Sequence, residues 1–493
     1  MMKNLLILSY TILSFNILFA QNKNGHQWIL ENFSHLDFTS GQLVVKSLNP
    51  TPSFGVGSQN TTLSDNDGNI LLSTGGCFIL NKQFKLLEGG DSINSFFTYR
   101  GWCKGYGDGD FPLQQNNTIL PFPDSPNLKI VFNLDFDYAP DRGVPVPYNL
   151  YYHIVDMNQN NGLGKVKEWK RIAVADTFTR GFVQAVKHGN GKNWWVIVPK
   201  WTTNCLFITE ITPQGVSSSL KQCLGKSWKN HDDSGGQINA SPDGKLLARV
   251  SNKNYAVIYR FNNLDGSLTN PIELTFPVAD TTGYLRGISF SSNSRYLYIA
   301  SKYHLYQFDL MANNIQNSMQ LVGDLTTINF NGGKHLLYFS KLAPDGKIYI
   351  ASPFSHKFLS VINRPNCPGV LCDFKAHAIE LPEYNYNGLP NNPFFEIPPA
   401  NYNCDSINTT TQEIIENAAI YPNPATTQIT ISSSNIFQQF DITALTGQTM
   451  LKGKLSENTT DVDVSTLPEG IYFIKLTNTL MQTRALGKFV LKR

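Results

Sequence analysis

The stretch LAPDGKIYIAS at residues 342–352 reads as a tight turn followed by a β-strand. Pro, Asp and Gly are residue types that tight turns prefer, and the residues after the glycine alternate between polar and apolar side chains. The same order of residue types occurs about a hundred residues earlier, in ASPDGKLLARVS at 240–251. A turn and strand that recur in this way indicate a repeated structural unit.

Alignment on this turn extends the repeat to six copies. The Asp or Asn of the turn falls at positions 67, 127, 190, 243, 293 and 345, so successive copies lie 50 to 63 residues apart. A repeat of about 50 residues built from short strands is typical of a β-propeller. The second strands, such as KLLARV, YLYIA and WWVIV, are too apolar for a sheet with one solvent face, which indicates blades buried between neighbouring blades.

We therefore predict an all-β chain containing a seven-bladed β-propeller. Six blades follow the six turns, and strand-like pieces at 27–48 and 381–396 would form the seventh. A C-terminal strand joined to N-terminal strands would close the ring without an open sheet edge. If this seam is miscounted, six or eight blades follow. In the copy with Asn293, the four strands are predicted at 285–291, 296–300, 304–310 and 320–325.

The first 20 residues have the pattern of a secretory signal peptide. One Lys precedes an apolar run from Leu5 to Phe19, and cleavage is predicted between Ala20 and Gln21. An uncleaved membrane anchor is the alternative, but the run is shorter than the roughly 20 residues that a span needs. No later stretch is long and apolar enough to cross a bilayer, so we expect an exported mature chain without a transmembrane segment.

Seven cysteines would then enter an oxidising compartment, where disulfides form. Cys205 and Cys223 flank a turn and would lie opposite one another in an antiparallel hairpin, which predicts a disulfide. Cys367 and Cys372 bracket a Pro-Gly pair and would close a small loop. Their C-x₄-C spacing lacks a nearby His or second Cys pair, which disfavours zinc.

The composition changes after about residue 397. Residues 397–419 are polar and rich in Thr and Asn, as in a linker. Residues 420–493 alternate as short strands between Asn-Pro, Thr-Gly and Pro-Glu-Gly turns, which predicts a small β-sandwich. The predicted order is a signal peptide at 1–20, a propeller at 21–396, this linker and the sandwich.

Four motifs in this tail closely resemble a known sorting signal. YPNPATTQITI, DITALTGQ, LPEGIYFIKL and a basic end occur in the order found in the type A C-terminal sorting domain of the type IX secretion system of Bacteroidota. The resemblance implies a chain that crosses the outer membrane through that machinery. It also implies release or attachment to surface lipopolysaccharide, usually with loss of the domain.

The repeats also resemble a family. Motifs from HLDFTSG to NGLPNNPFF, including YHIVDMNQNNGLGKV, occur in the order seen in propellers of secreted Bacteroidota proteins. The resemblance covers about residues 27–396. That family has no settled biochemical activity, so the resemblance implies an architecture and a cellular address and gives no roles to individual residues.

The charge of the chain argues against nucleic-acid binding, whereas the absence of common catalytic motifs does not exclude an enzyme, because propeller active sites are assembled from dispersed loop residues. A net charge of +3 without a dense Lys/Arg run gives no electrostatic basis for binding nucleic acid. HExxH, GxSxG, GxxxxGK[ST], GxGxxG and CxxC motifs do not occur. We predict no cofactor, with structural calcium as a minor alternative at Asp108 and Asp110 in GYGDGDF. These two carboxylates lack the remaining spacing of a full calcium loop.

Two further loops carry groups that would suit a ligand face. His231, Asp232 and Asp233 in HDDSGGQ precede an inner strand, where a propeller presents side chains to its axial opening. His188 stands beside a pair of Trp residues, and exposed Trp side chains stack on sugar rings. The simpler interpretations are a solvated loop for the first and core packing of at least one Trp for the second.

The leading functional prediction is a secreted or surface-displayed binding protein whose propeller loop face binds a glycan or a protein. The alternative is an extracellular propeller hydrolase or lyase acting on polysaccharide or peptide, which requires carboxylates, or His with carboxylates, to converge at the axial mouth. A third hypothesis is a structural part of an adhesion or gliding apparatus, with an apolar patch on the rim.

Overall fold

The structure is a computed structural model of the chain. It describes residues 22–48, 60–91, 93–95, 98, 101, 103–104, 113–139, 144–228, 235–250, 255–277, 285–326, 328–330, 333–396, 404, 419–432, 437–444, 448–456, 459–478 and 483–493.

Between residues 27 and 385 the described chain forms seven antiparallel sheets, each built from consecutive strands. The first three sheets contain β1 (Gln27–Ile29), β2 (Ser34–Asp37), β3 (Val44–Ser47); β4 (Thr61–Ser64), β5 (Ile70–Thr74), β6 (Ile79–Asn81); and β7 (Asn117–Pro121), β8 (Leu128–Ala139), β9 (Val144–Asp156), β10 (Lys165–Ala175). The next two contain β11 (Gln184–Lys187), β12 (Trp194–Pro199), β13 (Cys205–Thr212), β14 (Gly215–Val216), β15 (Leu220–Cys223); and β16 (Ile238–Ala240), β17 (Leu246–Val250), β18 (Tyr255–Phe261), β19 (Leu268–Thr275).

The last two sheets complete this part of the chain. They contain β20 (Gly287–Phe290), β21 (Tyr296–Ala300), β22 (His304–Asp309), β23 (Gln320–Asp324); and β26 (Ser340–Leu342), β27 (Ile348–Ile350), β28 (His356–Ile362), β29 (Phe374–Asn385). A separate hairpin joins β24 (Asn329–Phe330) to β25 (Gly333–Lys334). Short 3₁₀ turns lie at Asn160–Gly162, Gln316–Ser318 and Gly369–Cys372.

The first strand of each sheet faces the centre of a ring. β1 packs beside β4 and β4 beside β7, and the same relation joins β11 to β16, β16 to β20 and β20 to β26. Sheets arranged radially around an axis form a β-propeller, so the predicted all-β propeller is confirmed. The count of seven blades for the whole chain stays a prediction, because some ranges lie outside the description.

The repeated turn has one geometry. In LAPDGKIYIAS, Gly346 N donates to Ala343 O at 2.9 Å, and the Asp345 carboxylate accepts from Lys347 N at 3.1 Å. Gly346 has φ +78°, a conformation that glycine adopts without the clash that a Cβ would bring. The same two hydrogen bonds recur in two other copies, at residues 241–245 and 291–295. The Asp or Asn of the repeat is therefore a turn residue.

The second strands are buried on both faces, as their composition predicts. Every residue of β12 is buried, and so is every residue of β21. The apolar side chains fill the layers between neighbouring sheets, where their burial is the main favourable contribution to folding. Between the fifth and sixth sheets this layer includes Ala248, Val250, Ile258, Ile288, Leu297 and Ile299.

The ring closes differently from the prediction. In the described residues β1, β2 and β3 form a sheet with no C-terminal strand, and β29 pairs with β28 as the outer strand of the last sheet. The predicted mixed blade is therefore wrong. After β29 the chain turns inward, where Leu389 packs into the core and two Asn side chains satisfy backbone groups of the inner strands.

The cysteine pairs differ in part from the prediction. Cys205 and Cys223 lie opposite one another on β13 and β15 and form a disulfide. The predicted loop between Cys367 and Cys372 is wrong, because Cys367 bonds to Cys404 and Cys372 is a buried free thiol. A further disulfide joins Cys77 to Cys103. Cys367 thereby ties the last sheet to a residue 37 positions further along the chain.

The tail forms two facing sheets. Their strand orders are β30-β31-β34 and β33-β32-β35-β36. These strands are β30 (Ala419–Tyr421), β31 (Gln428–Ser432), β32 (Phe437–Ala444), β33 (Thr449–Lys454), β34 (Thr459–Asp463), β35 (Gly470–Asn478) and β36 (Thr483–Leu491). Ile429 and Ile431 of one sheet share a core with Ile442, Ile474 and Phe489 of the other, as in a β-sandwich.

Candidate ligand cleft beside the central axis

The centre of the ring is filled by amide side chains. Asn391 donates through Nδ2 to the carbonyl oxygens of Asn117 at 2.9 Å and Val183 at 2.7 Å, and its backbone N donates to Asn60 O at 2.7 Å. Gln115 Nε2 donates to Asn391 Oδ1 at 3.1 Å. The segment 389–396, which we call the closing segment, thus links three inner strands to one another.

Lys341 holds the closing segment from a second side. Its side chain is buried, and Nζ donates to Asn392 O at 2.6 Å and lies 4.8 Å from the centroid of the Phe394 ring. Burial away from water disfavours the charged amine and lowers the pKa of Lys341 to about 7. The role of this lysine in the structure is to anchor a backbone carbonyl.

Two cavities flank the end of the closing segment, and Phe394, Phe395 and Glu396 line both of them. The cavity beside Lys341 has a volume of about 20 Å³, which suits a single water molecule. The other, about 280 Å³, opens between the fourth and fifth sheets. We call this second cavity the axial cleft.

His188 forms part of the first wall of the axial cleft, in the turn between β11 and β12. Its ring stacks on Trp195 with centroids 5.2 Å apart and planes 18° apart. Nδ1 accepts a hydrogen bond from Asn190 N at 2.9 Å, so the proton of the neutral ring is on Nε2. Nε2 faces Glu210 Oε1 at 3.5 Å, which orients the ring in this tautomer.

Lys187 precedes His188 and lines the same wall. Its Nζ lies 4.1 Å from the centroid of the Trp194 ring and donates to Lys192 O at 3.2 Å. Burial lowers the pKa of Lys187 to about 8. The amine is thus a half-buried cation over an aromatic face, a position that stabilises positive charge.

The second wall consists of the repeated turn of the fifth sheet. Ser241 Oγ donates to Asp243 Oδ1 at 2.5 Å, and Lys245 N donates to the same oxygen at 3.1 Å. Asn263 O accepts from Gly189 N at 2.8 Å and so joins this wall to the first. Because turn geometry occupies Oδ1 of Asp243, we expect the outer oxygen of that carboxylate to be the one available to a ligand.

The closing segment supplies the floor of the axial cleft. Phe395 packs edge-on against Trp194 with ring centroids 5.6 Å apart. Glu396 is exposed, and its Oε2 accepts from Asn22 N at 3.4 Å. The cleft therefore combines hydroxyl, amide, amine and carboxylate groups with aromatic surface, and it is built from chain segments more than 200 positions apart, from Ala185 to Glu396.

Of the sequence-predicted site residues, the structure places His188 in the axial cleft. His231, Asp232 and Asp233 lie outside the described residues, and so do Asp108 and Asp110. The predicted cleavage site at Ala20 and Gln21 also lies outside them. In the described part of the chain, no three His, Cys, Asp or Glu side chains form a group that could hold a metal ion.

Sequence reasoning missed the other half of the cleft. The repeat predicts a turn position for Asp243, and the sequence predicts no role for Lys187 or the Phe394–Glu396 stretch, all of which line the cleft. The repeat does contain a partial signal for Asp243, because the turns of neighbouring blades face the same end of a propeller. No spacing in the sequence connects these turns with the closing segment.

Comparison with protein families identifies the end of the chain. Residues 419–492 match the family described as a secretion system C-terminal sorting domain. The tail is a type IX secretion system sorting domain. The protein is therefore exported, to the cell surface or the medium, and its sorting domain interacts with the secretion machinery. Across the described ranges, no helix is long and apolar enough to cross a membrane.

Solved structures are similar to the chain at low sequence identity. One is PorZ, an essential surface component of the type-IX secretion system of Porphyromonas gingivalis, with 11% identity and a TM-score of 0.35 over 93% of this chain. The chain spans 63% of the length of that structure. Another is apo AztD from Citrobacter koseri, with 10% identity and a TM-score of 0.40 over 75% of this chain and 87% of that one. Comparison with curated proteins finds no match.

Proposed function

We propose that the protein is a binding protein of the cell surface or medium, and that its axial cleft holds a sugar unit of an extracellular glycan. The observation that carries this proposal is a cleft of about 280 Å³ in which polar groups surround an aromatic floor. Small-molecule sites are concave, with apolar walls and a few placed polar groups. A sugar presents hydroxyls to such groups and a C–H face to an aromatic ring.

The groups of the cleft suit hydroxyl recognition. Asn263, Asp243 and Glu396 supply amide and carboxylate groups at its edge. Phe395 is held in place by its edge-on contact with Trp194, so its ring is fixed before a ligand arrives. A site formed in advance loses less conformational entropy when it binds.

The route of export belongs to the same proposal. A signal peptide at 1–20 brings the chain to the periplasm, cleavage follows Ala20, and residues 397–419 connect the propeller to the sorting domain at 420–493. The match of residues 419–492 to a sorting domain supports this order. Deletion of residues 420–493 should leave the protein inside the outer membrane; its appearance in the medium would contradict this route.

A glycan array with the purified mature protein tests the binding proposal. Pro242 lines the cleft at the second position of a repeated turn, and Asn66 has the same position in the second sheet. Pro242→Trp should fill the cleft and abolish binding, whereas Asn66→Trp should bind as the wild type does. Equal glycan binding by the two variants would show that the glycan does not bind in the axial cleft. Cleavage of the bound glycan would indicate an enzyme instead.

A further inference from the structure

The amine of Lys187 lacks a counter-charge among the described residues. Nζ donates to the Lys192 carbonyl oxygen at 3.2 Å and lies over the Trp194 ring, and no described carboxylate lies within ion-pair distance of it. Nearby lysines differ in this respect. Lys192 Nζ lies 3.4 Å from Asp124 Oδ1, and Lys200 contacts Asp176.

Burial makes this arrangement costly for the free protein. Lys187 is half-buried at the wall of the cleft, and removal of water from an ammonium group without a compensating anion is unfavourable. For the same reason, burial lowers the pKa of Lys187 to about 8. An anion entering the cleft would supply the missing charge at close range in a partly dehydrated site, where charge-assisted hydrogen bonds are strongest.

The acidic groups around the cleft form no ion pair with Lys187. Asp243 Oδ1 accepts from Ser241 and from the backbone of its own turn. Glu210 Oε1 accepts from Asn193 Nδ2 at 2.7 Å and faces His188 Nε2. Glu396 is exposed, and its Oε2 is directed to the backbone N of Asn22, which lines the other cavity. His188 already pairs with Glu210 through Nε2, so Lys187 is the residue of the cleft lining that offers an ammonium group without a carboxylate partner.

We infer that the axial cleft selects an anionic sugar unit, with Lys187 binding its carboxylate or sulfate group. This inference rests on the proposed function and names its ligand class. Phe395 would pack against the sugar ring, while Asn263 would hydrogen-bond to its hydroxyls. Lys187 is a specificity-determining residue in this scheme, because it contributes little to a neutral sugar of the same size.

Binding of three matched probes tests the inference. Calorimetry with the full-length mature protein at pH 6.5 would compare digalacturonate, neutral galactobiose and sulfated galactobiose. We expect one or both anionic probes to bind at least roughly 10-fold more tightly than the neutral one, the size of a hydrogen bond to a charged group. The stronger of the two anionic probes identifies the charged group of the ligand.

Two substitutions separate charge from packing. Lys187→Gln should abolish the preference for the anionic probes over the neutral one, whereas Lys187→Arg should keep that preference. Lys192→Gln is the matched control, because Lys192 is in the same hairpin, is exposed and already pairs with Asp124. Loss of the preference in this control as well would overturn the assignment to Lys187.

The pH dependence gives a readout that does not depend on folding of the Gln variant. In the wild type the preference should fall as the pH rises from 7 to 9.5, because the amine loses its proton near pH 8. In Lys187→Arg it should not fall, since a guanidinium stays charged over this range. Equal binding of neutral and anionic probes would overturn this inference and leave the proposed function standing, whereas no sugar binding at all would overturn both.

Discussion

Lys341 Nζ donates a 2.6 Å hydrogen bond to the carbonyl oxygen of Asn392, and this contact joins the last sheet to a segment that fills the centre of the ring. The closing segment contacts the second, third and fourth sheets through Asn391 and Asn392. In the described residues the closing segment therefore holds the ring together along its axis, whereas the sequence predicts a sheet that shares strands from the two ends of the chain. The closing segment also forms the floor of the axial cleft, which couples ring closure to the proposed binding site.

Asn391→Ala should destabilise the ring strongly. The substitution removes the donors to Asn117 O and Val183 O and leaves Gln115 without its Asn391 contact in a buried site. Asn117 O still accepts from the Thr61 hydroxyl and Gln115 Nε2 still donates to Ile238 O, so the main loss is the bond to Val183 O, and we expect the free energy of unfolding to fall by about 1–3 kcal/mol. Urea unfolding measures this loss. Asn313 is exposed, so Asn313→Ala should change the free energy of unfolding by less than about 0.5 kcal/mol. Equal effects of the two substitutions would contradict the stabilising role of Asn391 in the closing segment.

The protein should lose stability as the pH falls from 6.5 toward 4. Burial lowers the pKa of His35 and of His377 to about 4 and that of His153 to about 3, from an ordinary value of 6.5. The unfolded chain therefore binds protons in this window before the folded chain does, and stability that is fully present above pH 6.5 is lost. The largest slope for one histidine is about 1.4 kcal/mol per pH unit. A constant urea midpoint between pH 7 and pH 5 would refute this.

His377 belongs to a cluster that should contribute to this acid sensitivity. The ring centroids of His335 and His377 lie 4.3 Å apart, and those of His335 and His356 lie 4.2 Å apart. After burial, the charge of the neighbouring histidines is the next cause of the lowered pKa of His377. His377→Gln should therefore flatten the dependence of the urea midpoint on pH, and an unchanged slope would exclude the cluster as its source.

Thiol reagents should not modify the folded protein, and they should modify the unfolded protein at Cys372 alone. Six of the seven cysteines form the three disulfides, and Cys372 is fully buried. Burial also raises the pKa of the Cys372 thiol to about 12, which suppresses the reactive thiolate. Mass spectrometry after maleimide treatment should show one adduct, on Cys372, only in denaturant. A Cys367–Cys372 peptide in a non-reducing digest would contradict the pairing of Cys367 with Cys404.

The glycine of the opening turn should be costly to replace. Gly346 has φ +78°, and a side chain in the left-handed region costs roughly 1 kcal/mol, so Gly346→Ser should lower the free energy of unfolding by about that amount. Ser294 occupies the same turn position in another sheet with φ +58°. Ser294→Gly should cause no comparable loss, because it relieves the same backbone strain. Urea unfolding measures the free energy of unfolding of both variants. If Ser294→Gly lost as much stability as Gly346→Ser, the two turns would not share the same backbone strain.

The regular part of the fold was predictable because it repeats. In the copy with Asn293, the predicted strands at 296–300 and 304–310 correspond to the observed Tyr296–Ala300 and His304–Asp309. Turn residues and alternating side chains act over a few positions, and each copy gives the same local signal again. The disulfide between Cys205 and Cys223 follows from one hairpin in the same way, since the hairpin register sets these positions opposite each other.

The candidate site was predictable only in part. His188 was singled out for its neighbouring Trp residues, and the structure puts it in the axial cleft. Lys187 gave no signal of its own, because its significance comes from burial over Trp194 and from the charges around it. The partner of Cys367 was also out of reach, since Cys372 is closer along the chain but Cys404 is the cysteine that the fold brings to it.

The repeated turns, the all-β propeller and the sorting domain can be recognised from the amino-acid sequence. These features depend on short-range patterns: residues a few positions apart that favour one backbone conformation, and four tail motifs in a specific order. The closure of the ring and the position of the cleft emerge from the folded structure. Both depend on contacts such as those between Trp194 and Phe395, or between Asn117 and Asn391, whose partners lie more than 200 positions apart in the chain. Such contacts depend on how distant segments pack together, and this packing produces no periodic pattern or residue spacing in the sequence from which it could be predicted.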